Sequence, residues 1–279
     1  MKKFYESYVP INTLIKSFSN FSLSFCIFGK IIFMQPDKKE LEILLVNYFR
    51  NCYEDFPKGQ ITPSESPDFI IKMKNQHELG IELTRLNPVN KSISVENQLM
   101  QIQVRDEIIG LSRDLFEQNS DLKLFVKFLF SEDKKILKEN QMLIAIQMAN
   151  LIRQVAKNKN IDSFFKESVA GNQLPGGLDE ILIINHPAMH ISAWERANNL
   201  GISSDVVFDI RHAIHKKDEK LRLYQKQRLN YYWLLITTDR LRGVRNFNLP
   251  DKIMNHEFHS NFQQVFLFDL IKSDIYRLI

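Results

Sequence analysis

The run Ser66-Pro67-Asp68-Phe69-Ile70-Ile71-Lys72-Met73-Lys74, a polar turn at Asn75–Glu78, and then Leu79-Gly80-Ile81-Glu82-Leu83-Thr84 decides the fold. Two short apolar segments joined by a tight polar turn predict a β-hairpin. Each half sets a carboxylate among strand residues: Asp68 opens the first strand, and Glu82 sits between Ile81 and Leu83 in the second. A bare carboxylate in an apolar sheet costs several kcal/mol unless it is paired or bound to a cation. Two arrangements satisfy that constraint. Asp68 and Glu82 share one divalent ion, with the backbone carbonyl of Leu83 as a third oxygen ligand. Alternatively, Asp68 is a strand-start cap and Glu82 points to solvent.

Outward from the hairpin, Leu41, Leu44, Leu45 and Tyr48 form one helical stripe, predicting a helix over Asp37 to Cys52. Pro57, Gly59, Pro63 and Pro67 then predict a loop. Helices are expected over 95–116, around Ile144–Val155 and over 206–225; strands over 122–130, 180–185, 231–238 and within 264–270. Helices mixed with strands, opening on a hairpin, predict an α/β fold with a central mixed β-sheet flanked by helices. The almost continuously apolar strand at 231–238 belongs in its centre, with helices on both faces. No repeat or Pro/Gly/Ser linker divides the body, so residues 34–279 are expected to form a single domain.

Residues 1–33 read as a separate extension. Met1, Lys2 and Lys3 precede an uncharged run from Ser17 to Gly29, which superficially looks like a secretory leader. That run is shorter than the ~20 residues a bilayer span needs, and Lys30 ends it with no small-residue cleavage pattern following. Stable membrane insertion is therefore not expected. Met34, where the regular helix pattern begins, is an alternative start.

Composition narrows the function classes. With 37 basic and 33 acidic residues the formal charge is +4, which permits a nucleic-acid partner without demanding one. Cys26 and Cys52 cannot frame a disulfide scaffold, so a reducing cytoplasm is the expected compartment. Only 9 glycines are present, and no P-loop, dinucleotide fingerprint or nucleophile elbow occurs, so no nucleotide cofactor is expected. The paired histidines (186/190, 212/215 and 256/259) have no cysteine partners and no His-Glu-x-x-His context, which argues against zinc.

Pro67-Asp68, 13 intervening residues, and Glu82-x-Thr84 resemble the signature of the PD-(D/E)XK nuclease superfamily, Pro-Asp on one strand and (Asp/Glu)-x-Lys on the next. The order helix, hairpin, helix, strand also resembles its restriction endonuclease-like core. Ser-Pro-Asp-Phe followed by Gly-Ile-Glu-Leu-Thr is similar to uncharacterised bacterial members whose second motif ends in Thr. The resemblance implies a divalent-metal-dependent nuclease that hydrolyses DNA phosphodiester bonds, with Asp68 and Glu82 holding Mg²⁺ or Mn²⁺. It also implies a homodimer where both strands are cut, although no residue pattern marks a dimer face. The alternative is an inactive nuclease-like module that binds nucleic acid or a protein partner.

Thr84 departs from the pattern, because it cannot supply the lysine's positive charge. In the superfamily that lysine can migrate to another element. On the 206–225 helix the stripe Val207, Ile210, Ile214, Leu221 leaves a gap that helical spacing fills with Lys217, with Lys220 on the flank. Either of these reaches the Asp68/Glu82 centre, or the Lys217 stem packs while its amine extends to water. Weaker candidates accompany them: Glu40, Glu42 or Glu65 as a further acid, and Gln227 with Tyr231 as a helper pair. Arg240, Arg242 and Arg245 are candidate phosphate contacts, which would make binding salt-dependent.

Overall fold

A computed structural model describes residues 38–86, 95–131, 134–187, 189–197, 205–224, 229–239 and 249–279. The protein is α/β, with two mixed sheets and flanking helices. In chain order the elements are α1 (Lys38–Cys52), β1 (Gly59–Pro63), β2 (Phe69–Met73), β3 (Glu78–Arg85), α2 (Val95–Glu117) and β4 (Phe125–Phe130). A 3₁₀ turn leads into α3 (Gln141–Lys157), followed by β5 (Phe165–Ala170), β6 (Leu178–Asn185) and β7 (Ala193–Arg196). The chain ends with α4 (Val206–Tyr224), β8 (Tyr231–Thr238), α5 (Leu249–Met254), β9 (Gln264–Asp269) and β10 (Ile275–Arg277). None of the described helices is long and apolar enough to cross a membrane.

The expected hairpin is β2–β3, and it belongs to a six-stranded sheet ordered β1-β2-β3-β8-β9-β10. Strands β1, β2 and β3 run antiparallel; β3, β8 and β9 are parallel. The strand at 231–238 is indeed central, and all but its first residue are buried. One face of this sheet (Phe69, Ile71, Ile81, Leu83, Trp233, Leu235, Phe266, Phe268) packs on Leu44, Tyr48 and Phe49 of α1. The other face (Leu234, Ile236, Val265, Leu267) packs on Val207, Ile210, Ile214 and Leu221 of α4. Each such fully buried side chain contributes roughly 1.5–3 kcal/mol, so the apolar stripe of α4 is fixed in rotation against the sheet.

The proline-rich segment expected to be a loop contains β1. It lies at the sheet edge with Pro63 as its last paired residue, where a missing N–H costs no ladder bond.

Between β3 and α4 the chain builds a second sheet, ordered β5-β6-β4-β7. Period-two alternation gives it two apolar faces. Val126, Phe128, Phe130, Ile181 and Ile183 pack on α2 and α3, whereas Phe125, Leu182 and Ile184 join the core beneath α1. Both faces being covered explains why β4 is buried along its whole length.

Candidate active site

The register of β2 against β3 ends at Phe69↔Ile81, so Asp68 lies across from Glu82 just beyond the last pair. Asp68 Oδ2 accepts a hydrogen bond from the Leu83 N–H at 2.7 Å. The carboxylate thus caps the strand start, as one sequence alternative proposed, and among the described residues no hydrogen bond engages its Oδ1. Lys39 of α1 fixes the same corner from the other side, donating to the carbonyls of Ser64 (2.6 Å) and Asp68 (3.0 Å).

Glu82 does not point to solvent. Its neighbours Ile81 and Leu83 pack toward α1, so alternation turns Glu82 to the opposite face, where α4 lies. It is 2% exposed and registers with Leu234 of β8.

Lys217 meets it there. Three positions after Ile214 and four before Leu221, its stem shares the buried face of α4. Its ammonium donates to Glu82 Oε1 at 2.6 Å and to the Leu83 carbonyl at 2.9 Å. Side-chain exposures of 12% and 3% for Lys217 and Glu82 make this a largely dehydrated pair. Lys220 is exposed but close enough for its charge to act on Glu82.

Burial pushes the Glu82 carboxyl above its ordinary value, and the charge of Asp68 adds to that rise. The Lys217 hydrogen bond and charge, and more weakly the charge of Lys220, oppose it.

Lys217 thus contacts one of the two carboxylates, and the charge of the other, Asp68, acts on Glu82. The described residues contain no cluster of three His, Cys, Asp or Glu side chains suited to a metal. The donor set at this corner is two carboxylates and a backbone carbonyl, all oxygen. It fits Mg²⁺ or Mn²⁺, hard ions that retain several waters, and does not fit zinc, which draws most of its ligands from nitrogen or sulfur.

The weaker candidates fall elsewhere. Glu42 pairs with Lys38 and Lys39, and Glu65 is exposed. Glu40 lines an apolar cavity with His186 and His190. Tyr231 is the exposed first residue of β8, its ring beside that of His77. Gln227, Arg240, Arg242 and Arg245 lie outside the described residues, as do residues 1–33.

Sequence reasoning missed a second buried group of charges. Lys127 on β4 is 1% exposed and donates to Asp239 at 2.6 Å, with Glu195 Oε1 at 3.0 Å. Arg85 also pairs with Asp239 and approaches Glu195 at 3.9 Å. The available signal was a lysine inside the otherwise apolar strand Phe125-Val126-Lys127-Phe128-Leu129-Phe130.

No protein-family model, curated protein or solved structure matches the chain.

Proposed function

We propose that the protein is a divalent-metal-dependent phosphodiesterase acting on DNA, with its centre at Asp68, Glu82, Leu83 and Lys217. The observation that carries this reading is the contact of a migrated lysine with the two oxygens nominated for a metal. Lys217 touches Glu82 and the Leu83 carbonyl across 135 residues of sequence. An inactive module would instead be expected to leave Lys217 in water, far from the acidic pair. The order helix, hairpin, helix, strand is expected on the helix at 95–116 and the strand after it, but α2 and β4 belong to the second sheet; the helix and strand that meet the hairpin are α4 and β8.

Asp68, Glu82 and the Leu83 carbonyl would hold the ion, which when bound polarises the phosphate and lowers the pKa of a coordinated water. The chain's own groups do the rest. Asp68 Oδ2 stays on the Leu83 N–H and so holds the second ligand strand in place. An ammonium has three donors, and two of those on Lys217 are engaged. The third is available to orient the attacking water and to stabilise charge developing on the phosphate oxygens. Lys220, exposed at the flank, adds positive potential where a polyanion would approach.

The test is cleavage of supercoiled plasmid and of labelled single-stranded DNA with Mg²⁺, Mn²⁺ or EDTA. Metal-dependent cutting should vanish in Asp68→Ala and Glu82→Ala, and fall on the order of 10²–10³-fold in Lys217→Ala. Folded wild-type protein that cuts neither substrate, or cutting that survives both carboxylate changes, would refute the assignment.

A further inference from the structure

The segment 64–68 ends on the first acid of the centre but lies outside the strand ladder. β1 pairs with β2 as far as Pro63↔Phe69, and β2 with β3 as far as Phe69↔Ile81. The placement of Asp68 therefore depends on other contacts, and they come from three directions. Ser64 N–H donates to the Asp68 carbonyl at 2.9 Å, which closes the segment into a turn. Lys39 donates to the same carbonyl at 3.0 Å and to that of Ser64 at 2.6 Å, so one ammonium brackets both ends of the turn. Pro67 is buried, and its ring lies against Gly80 of β3.

Neither partner is explained by its own element. A lysine in the first turn of α1 works against the helix dipole, which favours anions at that end. Lys39 nevertheless turns inward, its ammonium 5.0 Å from the centre of the Phe69 ring and 3.6 Å from Glu42. Gly80 sits inside a strand, where glycine weakens the element and marks the close approach of another group. A Cβ at that position would meet Pro67 Cγ at 2.5 Å and Leu229 Cδ1 at 2.9 Å. The leucine tip can swing away. The proline ring is rigid, and it belongs to the residue directly before Asp68.

We propose that Lys39 and Gly80 are positioning residues for Asp68. Lys39 ties down the backbone of the turn, and the bare Cα of Gly80 seats the Pro67 ring. Together they keep one Asp68 oxygen on the Leu83 N–H and leave the other facing the ion. The inference rests on the assignment of Asp68 as a metal ligand. Neither residue touches the ion or the substrate; both act through the carboxylate they place. A ligand set has to be held to within about 0.5 Å of its working geometry. Removing a group that orients a ligand from behind typically costs about 10–100-fold in metal affinity.

Two readouts on the full chain test it: Mn²⁺ affinity by titration calorimetry, and exchange of the Leu83 amide in EDTA by NMR. The Leu235 amide of β8 serves as the reference for global opening. Lys39→Met and Gly80→Ala should each weaken Mn²⁺ binding about tenfold and speed Leu83 exchange relative to Leu235. Lys39→Arg, which keeps donors for both carbonyls, should stay near wild type. The double variant P67A/G80A, which removes the ring that the new methyl meets, should recover most of the loss seen in Gly80→Ala. Variants that melt earlier yet keep wild-type Mn²⁺ affinity and Leu83 exchange would overturn the proposal, as would a double variant no better than Gly80→Ala. Plasmid cleavage separates the two readings. A wild type that cuts with metal while both single variants match it in affinity and exchange removes the clamp alone. A wild type that neither binds Mn²⁺ nor cuts, yet shows the faster Leu83 exchange in both variants, removes the phosphodiesterase and leaves the clamp.

Discussion

Strand β3 carries two sets of buried charge three residues apart, and they are solved in opposite ways. Arg85 turns toward the second sheet, where it and Lys127 meet Asp239 and Glu195: two cations, two anions, with both carboxylates contacting both cations. Glu82 turns toward α4, where it meets the ammonium of Lys217 while the charges of Asp68 and Lys220 act on it from nearby. Among the described residues the first set is closed, with two cations against two anions. In the second, Lys217 touches Glu82, Lys220 acts on it at longer range, and among the described residues no hydrogen bond engages Asp68 Oδ1. Desolvating an anion costs several kcal/mol unless it is compensated, and on the proposed reading the open Asp68 oxygen is where a metal ion would bind. A buried carboxylate is therefore informative only once its local charge sum is known.

The largest effect should come from breaking the closed set. Lys127→Met removes the buried cation that Asp239 and Glu195 share, and should cost about 3–5 kcal/mol of unfolding free energy, read from the denaturant midpoint. The same change at Lys217 should cost less than half as much, because Glu82, already raised in pKa, can take up a proton and become neutral. Equal losses at the two lysines would erase the distinction.

Mg²⁺ should act on one set alone. At ten times its dissociation constant it should add about 1.4 kcal/mol to the wild type, visible as a rise in melting temperature. Asp68→Asn should show no rise, whereas Glu195→Gln, although less stable, should keep it.

The smallest effect is in pH dependence. A carboxyl whose pKa is raised in the folded state contributes stability that is fully present below its unfolded value and is lost as pH climbs through the folded value. Metal-free protein should therefore lose stability as pH rises from the ordinary carboxylate range through the elevated Glu82 value. The loss amounts to about 1.4 kcal/mol for every tenfold by which folding tightens the carboxyl's hold on its proton. Glu82→Gln should remove that slope, measured by urea unfolding at a series of pH values. An unchanged slope would mean that Glu82 is ordinary.

Much of the fold was legible in the residues. The helix stripes, the hairpin and the apolar 231–238 strand follow from periodicity, because each buries one continuous face. The position of Lys217 was legible for the same reason: a polar residue in the gap of an apolar stripe must find a buried partner or snorkel. Which of these it does depends on β3 lying beneath α4, and no local pattern encodes that pairing. The second sheet was less legible. β5 and β7 are short or half-exposed, and β7 pairs in parallel with β4 across the intervening α3, β5 and β6, so neither leaves an alternation of its own. Lys127 stood out in its strand, but its partners arrive from β7 and the end of β8, which only tertiary packing brings near. The fate of Asp68 lay between the two sequence alternatives, because a carboxylate has two oxygens: one caps a strand and the other stays open.

The pairing of β3 with β8 has a consequence in time. The lysine that completes the centre follows Glu82 by 135 residues, with the whole second-sheet unit made in between. At a synthesis rate of roughly 5–20 residues per second, the nascent chain carries the acidic hairpin for on the order of ten seconds before Lys217 exists. During that interval β3 has an open edge and its acidic corner lacks its ammonium. A newborn chain on the ribosome, surrounded by RNA, thus cannot assemble the proposed phosphodiester-cleaving centre until most of the protein has been made.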